Sequence, residues 1–227
     1  MRQLHKQRRL SPYITFFGLL ALLGFSAMAV IAVRQPLNSF DLQTAAWVQS
    51  FETKNLTGLM VFFSTLGSSK FTILIALLVM VILFFVLKHR RELLFLAASL
   101  GGAALMNKLL KLVFQRERPF VHRLVEETGF SFPSGHAMAA FALYGALAYL
   151  LWRHIRPRWG RALLIGASCF MVLMICVSRI YLGVHYPSDI MGALLASGLW
   201  LCVMIGIAGR LEGRHIPLSR YRFGDNQ

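Results

Sequence analysis

An all-α, integral membrane bundle of six helices is the fold class this chain predicts, with an interfacial helix between the first two spans. Two observations carry that expectation. The 227 residues are 57% hydrophobic and only 15% charged, with a mean hydropathy of +0.61; a soluble domain of this length carries more charge and fewer unbroken apolar runs. The second observation is where charge is missing. Runs without Asp, Glu, Lys, Arg or His cover Tyr13–Val33, Phe71–Leu87, Leu93–Asn107, Ala137–Trp152, Ala162–Ser178 and Ile190–Gly209. A spanning helix needs roughly 20 apolar residues, and no fewer than about 17.

The first run follows Arg2, Lys6, Arg8 and Arg9, as in the charged start of a signal peptide. It is too long for the apolar core of such a peptide and no small-residue cleavage site follows, so a retained helix is expected. Between Arg34 and Lys70, Leu37, Phe40, Trp47, Val48 and Phe51 recur at helical spacing among Asp41, Gln43 and Glu52. That pattern suits a helix lying in the headgroup layer, with a packed loop as the alternative. Leu59–Leu66 is apolar but too short to span, and is expected to dip into the interface. The third and fourth runs fall short of a full crossing and must extend by a turn, towards Lys111 and back to Ser134. Cys169, Cys176 and Cys202 lie within the fifth and sixth runs without paired or metal-ligand spacing, and are expected as buried apolar filler. No repeat or low-complexity linker divides the chain. One domain over 1–227 is therefore expected, ending in a basic tail over 210–227.

The net charge of +15 raises the question of nucleic acid. Its distribution argues against that partner, because the charge is split among short loops and no reading module is visible. Fifteen of the 24 Lys and Arg residues fall at the amino terminus, at 88–91, at 153–161 and at 210–222. Six alternating helices put all of these on one side. Basic loops stay cytoplasmic, so both termini are expected there. The expected partner is the phospholipid bilayer, with no obligate protein partner. Short loops and the absence of a cleaved signal point to a bacterial inner membrane.

Three polar clusters then sit at the opposite, outer end. Lys111 closes the third span, and Arg118 follows seven residues later, two turns on if the helix continues; Pro119 stops it. Arg179 ends the fifth span on the same side. Arg suits bidentate contact with phosphate oxygens and Lys acts as a point charge. The second cluster, Pro133-Ser134-Gly135-His136, opens the fourth span with Ser134 as N-cap. Its free backbone N–H groups and positive helix end make an anion seat. In the third, His185 precedes Asp189 by four residues. A helical turn there lets the carboxylate fix the imidazole tautomer and leaves the other nitrogen free to attack.

Lys111 with Arg118-Pro119, then Pro133-Ser134-Gly135-His136, then Ser178-Arg179 with His185 and Asp189 resemble the three signature motifs of the type-2 phosphatidic-acid phosphatase superfamily. Order and separation also agree, over a core from about Phe71 to Gly209. The six-span plan is similar to its branch of membrane lipid phosphate phosphatases. The resemblance implies metal-independent hydrolysis of lipid phosphates or diphosphates through a phosphohistidine, with no cofactor. It implies His185 as nucleophile, Asp189 as its orienting partner, and His136 as the acid that protonates the leaving oxygen and then the base that activates water. Lys111, Arg118, Ser134, the Gly135 amide and Arg179 would hold the phosphoryl oxygens. The competing readings are a lipid phosphotransferase using the same site and a non-enzymatic lipid-phosphate transporter. Arg116, Lys108, His122, Arg123, Glu126 and Glu127 are expected at the surface, and Tyr181 and Tyr186 in the interfacial aromatic belt.

Overall fold

A computed structural model describes residues 2–35, 37–86, 88–120 and 122–213; Arg214, Arg220 and Arg222 of the basic tail lie outside them. The described residues form α1 (Arg2–Arg34), α2 (Ser39–Gln49), α3 (Lys54–Leu66), α4 (Ser69–Val81), α5 (Arg90–Phe114), α6 (Gly135–Trp152), α7 (Arg158–Tyr181) and α8 (Pro187–Gly213). A π-helical turn, Ile82–Val86, prolongs α4. Six segments are long and apolar enough to cross a membrane: Pro12–Arg34, Ser69–Val86, Arg90–Phe114, Gly135–Trp152, Arg158–Tyr181 and Pro187–Leu211. The chain is an integral membrane protein. Its short third and fourth runs do lengthen at the polar end, α5 continuing past Lys111 and α6 starting at Gly135.

The spans bury little of themselves. Phe16, Leu23, Phe85, Val113 and Leu163 all point outward, which lipid tolerates because it is as apolar as they are. Cys169 shares that exposure, contrary to the buried place expected for it, because it lies on an outward face of α7; Cys176 is buried as expected. The central helix is α6, whose buried face is Ala137, Met138, Ala140, Ala142, Leu143, Ala146, Ala148 and Leu150. Such small residues let neighbouring backbones approach closely. Three buried clusters stack along the bundle. Leu83, Leu96, Leu150 and Met204 pack at one end, and Ala137, Cys176, Ile190 and Ala193 pack towards the other. Beyond these, Met60, Tyr181, Leu182 and Val184 join α3 to the α7–α8 connection.

Between the first two spans the chain is helical twice, so the loop alternative falls away. Asn38 starts α2 by accepting from the Asp41 N–H at 2.8 Å, and Thr53 starts α3 by accepting from Leu56 at 3.2 Å. Leu37, Phe40, Trp47 and Phe51 remain exposed. Tyr181 is buried, unlike a belt residue. Its hydroxyl lies 2.9 Å from Thr57 Oγ1 and accepts from the Thr53 N–H at 3.2 Å, pinning α3 to α7.

Alternation brings six termini together at one end: the last turns of α1, α5 and α7 and the first turns of α4, α6 and α8. Gly183 makes the α7–α8 connection possible. Its φ is +71°, and a Cβ there would lie 1.9 Å from the His122 carbonyl oxygen. We expect Gly183→Ala to destabilise the fold by at least ~1 kcal/mol from the left-handed backbone alone, read as a lower midpoint of thermal unfolding in detergent. An unchanged midpoint would contradict this account of the turn.

Candidate active site

Asp189 lies in the first turn of α8 and is wholly buried. Its Oδ2 accepts from the Tyr186 N–H at 2.8 Å and from the Ser131 hydroxyl, while Oδ1 accepts from Arg116 Nη1 at 2.7 Å. His185 precedes the helix, with Nδ1 3.5 Å from Asp189 Oδ2 and 3.4 Å from Ser131 Oγ. Its Nε2 stands 3.2 Å from Arg118 Nη1. A guanidinium only donates, so Nε2 is the acceptor and the ring proton sits on Nδ1, facing the carboxylate. Burial lowers the His185 pKa to about 4, with Arg118 and Arg179 adding to the fall and Asp189 opposing it. A pKa lowered this far favours the uncharged ring at neutral pH, with the Nε2 lone pair accepting from Arg118 Nη1.

The cations arrive by three routes. Lys111 is in the last turns of α5. That helix ends at Gln115, which takes a left-handed conformation (φ 45°) and donates to the Lys111 carbonyl at 3.0 Å. Arg118 is therefore not two helical turns beyond Lys111, as continuation of the helix would have put it, but in the non-helical connection. It donates to the carbonyls of Gly129, Thr128 and Val184 at 2.9, 3.1 and 3.1 Å. Arg179, in the last turn of α7, donates to Ser64 Oγ and to Glu127 Oε2. Ser178 turns away, its hydroxyl bonding the Ile175 carbonyl at 2.7 Å.

Ser134 occupies the N-cap position of α6, yet its hydroxyl makes no capping bond. That Oγ and Arg179 Nε are buried polar atoms without a hydrogen-bond partner among the described residues. Unmet groups of this kind cost ~1–3 kcal/mol each, and an anion's oxygens would satisfy both. The Ser134 N–H donates to the Asp189 carbonyl at 3.3 Å, tying the start of α6 to that of α8.

Lys111, Arg118, Gly135, His136 and His185 all line one cavity of about 570 Å³. Away from these, the lining is mostly apolar, with Ile73, Leu77 and Met80 of α4 and Ala97, Leu100 and Ala104 of α5, and Ser69, Thr72 and Asn107 among the polar exceptions. From Lys111 to Ala97 the helix descends ~21 Å. The cavity thus has a cationic mouth and an apolar shaft.

Three side chains assigned to the surface by sequence belong here instead. Arg116 is buried and also donates to Asp41 Oδ2 at 2.8 Å and Ser188 Oγ at 2.7 Å, with its guanidinium 4.4 Å from the Tyr186 ring centre. Glu127 lines the cavity and pairs with Arg179, with Arg118 4.0 Å away. Burial opposes ionisation of Glu127, but Arg179, His136 and Arg118 outweigh it and hold the pKa below the ordinary carboxylate value. Tyr186 is buried rather than in a belt. Asp41, Ser64 and Ser131 were also missed. Each makes its contact with a residue more than fifty positions away, and local spacing carries no signal of that. Among the described residues, the His and carboxylate groups close enough to share an ion are His89, Glu92 and His154. They lie at the opposite end of the bundle beside Lys88, Arg90 and Arg91, whose charge opposes cation capture.

Residues 92–212 match the sequence profile of the PAP2 superfamily. The chain belongs to that superfamily. Within it, the chain is 37% identical over 142 residues to phosphatidylglycerophosphatase B of Bacillus subtilis, covering 62% of this chain and 68% of that one. It is 29% identical over 182 residues to the undecaprenyl-diphosphatase of Sulfolobus acidocaldarius, covering 76% and 82%. The crystal structure of a transmembrane PAP2 type phosphatidylglycerolphosphate phosphatase from Bacillus subtilis superposes with a TM-score of 0.81 at 26% identity, over 86% of this chain and 98% of that one. This PAP2 protein is a lipid phosphatase. Members of all three motifs line one cavity, while Ser134, Arg179 and Asp189 are not among its lining residues.

The tautomer and charge of His185 are directly testable. In detergent-solubilised, ring-labelled protein, NMR should find the proton on Nδ1 and the ring neutral down to about pH 5, consistent with a pKa of about 4. Titration near the usual 6.5 would contradict the site geometry.

Proposed function

We propose that this chain hydrolyses isoprenoid or glycerolipid monophosphates and diphosphates, without metal, through a phosphohistidine on His185 at the outer face of a bacterial cytoplasmic membrane. The observation that carries this reading is the placement of His185, with Nδ1 3.5 Å from Asp189 Oδ2 and Nε2 3.2 Å from Arg118 Nη1 at the cavity wall. Its Nδ1–H faces Asp189 and its Nε2 lone pair opens on the cationic mouth of the cavity.

In the first step Nε2 bonds to phosphorus as the phosphorus–oxygen bond to the lipid breaks. The electron pair leaves on the lipid oxygen, which takes a proton from His136. Asp189 stabilises the charge that His185 gains. In the second step neutral His136 removes a proton from water, the water oxygen bonds to phosphorus, and the nitrogen–phosphorus bond breaks to restore His185. Phosphoryl transfer depends on in-line placement and charge stabilisation. Lys111, Arg118, Arg179, the Ser134 hydroxyl and the Gly135 amide supply that charge without a cation. The buried, unpartnered Ser134 Oγ and Arg179 Nε support their assignment to phosphoryl oxygens.

A lipid substrate is supported by the apolar shaft, and the phosphatidylglycerophosphatase and undecaprenyl-diphosphatase relatives suggest the two headgroup classes. The outer placement rests on charge. Lys88, Arg90, Arg91, Arg153, Arg156, Arg158, Arg161 and Arg210 all lie at helix ends opposite the cavity mouth, and basic loops stay cytoplasmic. The termini then face the cytoplasm, and the whole of 1–227 works as one domain.

His185→Ala should abolish phosphate release, by at least ~10³-fold, in a protein that still inserts and elutes as a single species; robust turnover would sink the nucleophile assignment. Activity should persist in excess chelator, and loss that Mg²⁺ restores would refute metal independence. Phosphate release from undecaprenyl diphosphate, phosphatidylglycerophosphate, phosphatidic acid and a soluble ester would rank the headgroups. Product that forms only with an added hydroxyl acceptor, without free phosphate, would indicate a phosphotransferase.

A further inference from the structure

Asp41 sits in the first turn of α2, is wholly buried, and lies far in sequence from every signature motif. Its Oδ2 accepts from Arg116 Nη2 at 2.8 Å, Ser188 Oγ at 2.5 Å and Asn38 Nδ2 at 2.7 Å, and its Oδ1 accepts from the Ser188 N–H at 2.8 Å. Arg116 therefore bridges two buried carboxylates, Asp41 on one side and Asp189 on the other. A structural clamp needs only one of them. Burying a second carboxylate against one guanidinium leaves the trio with a net charge of −1, and desolvating such a charge is expensive.

We propose that Asp41, acting through Arg116, is a positioning and charge-balancing residue that keeps Asp189 effective as the partner of a positively charged His185. The argument rests on the phosphohistidine reading above. When Nε2 bonds to phosphorus and Nδ1 keeps its proton, the imidazole ring gains one positive charge. With Asp41 present, that charge meets a trio of −1 and the buried assembly becomes neutral. Without Asp41, Arg116 cancels Asp189 and nothing offsets the ring's new charge on its Nδ1 side, while on the Nε2 side the phosphoryl oxygens are engaged by Arg118, Arg179 and Lys111. Those cations face His185 from the α5–α6 connection, α7 and α5. Glu127 from the same connection is committed to Arg179, and His136 from α6 faces the cavity. Among the described residues in these contacts, no other acidic side chain supplies the missing charge. The interfacial helix thus gains a role in the reaction: it delivers one negative charge to the rear of the site.

The charge hypothesis separates from a purely structural one by a compensating pair. Two charges about 10 Å apart, at an effective dielectric of about 20, interact strongly enough to change a rate about tenfold. Asp41→Asn keeps the shape and removes the charge. We expect kcat to fall about tenfold with KM within about twofold, since Asp41 does not reach the cavity. The pH at which His185 protonates should also fall, by at least about half a unit. Adding Arg116→Gln removes the opposing charge, leaves Asp189 with a donor, and returns the trio to −1. The double variant should bring the His185 protonation pH back to the wild-type value and recover part of the lost kcat. If Asp41→Asn does not fold, the double variant alone decides, and a His185 titration shifted from wild type overturns the proposal. A folded Asp41→Asn with wild-type titration and kcat does so too, as does a double variant no better than the single. Quenching the wild type with labelled substrate in alkaline detergent, which preserves an acid-labile phosphohistidine, separates the two readings. Absence of an acid-labile phosphoenzyme there counts against the phosphohistidine itself, while its presence with unresponsive Asp41 variants counts against this inference alone.

Discussion

One buried carboxylate sets the register of this molecule's polar end. Asp189 receives donors from the α5–α6 connection (Arg116 and Ser131) and from the backbone that enters α8 (Tyr186), while its carbonyl accepts the N–H at the start of α6. A carboxylate taken out of water costs several kcal/mol unless its lone pairs are met. Here they are met only when the α5–α6 connection and the entry to α8 stand in one arrangement, to which the Asp189 carbonyl ties the start of α6. The apolar spans are interchangeable oil on their outer faces and provide no such selection. The polar end therefore specifies what the helices merely permit.

The same end concentrates positive charge in a form a membrane protein can hold. Arg118 spreads its donors over three carbonyls, Arg179 divides its between Ser64 and Glu127, and the first turn of α6 offers backbone N–H groups. Glu127 is the counterion that makes the cluster tolerable in the absence of substrate. In the proposed reaction, a phosphoryl group entering the mouth would meet Arg118 and Arg179 already fixed by other bonds, so little reorganisation would be required.

Much of this was legible in the sequence. Charge-free runs mark the spans because no buried segment of that length in a 227-residue chain is otherwise so apolar. Ser134 and Gly135 marked the start of α6, since an N-cap next to a long apolar run is a local signal. Type and spacing marked the motif residues, and members of all three motifs meet at one cavity. What stayed hidden was contact at a distance. Arg116 looks like any arginine near an interface until Asp41, seventy-five residues earlier, is placed beside it. Tyr181 and Tyr186 look like belt residues because aromatic position alone does not say which way a membrane helix is turned. Arg118 would stand two turns beyond Lys111 if the helix continued, but the helix stops at Gln115, where a non-glycine residue takes a left-handed backbone without a sequence cue.

That stop at Gln115 has a geometric consequence. His185 and Asp189 are four residues apart around the start of a helix, a rise of about 6 Å. Arg116 and Arg118 are two residues apart in non-helical chain, which reaches about 6.6–7 Å. The break converts one pitch into the other, so that two arginines mesh with the His–Asp pair tooth for tooth, one on each member. Had α5 run on, the same two residues would point to opposite sides of a cylinder, and only one could engage.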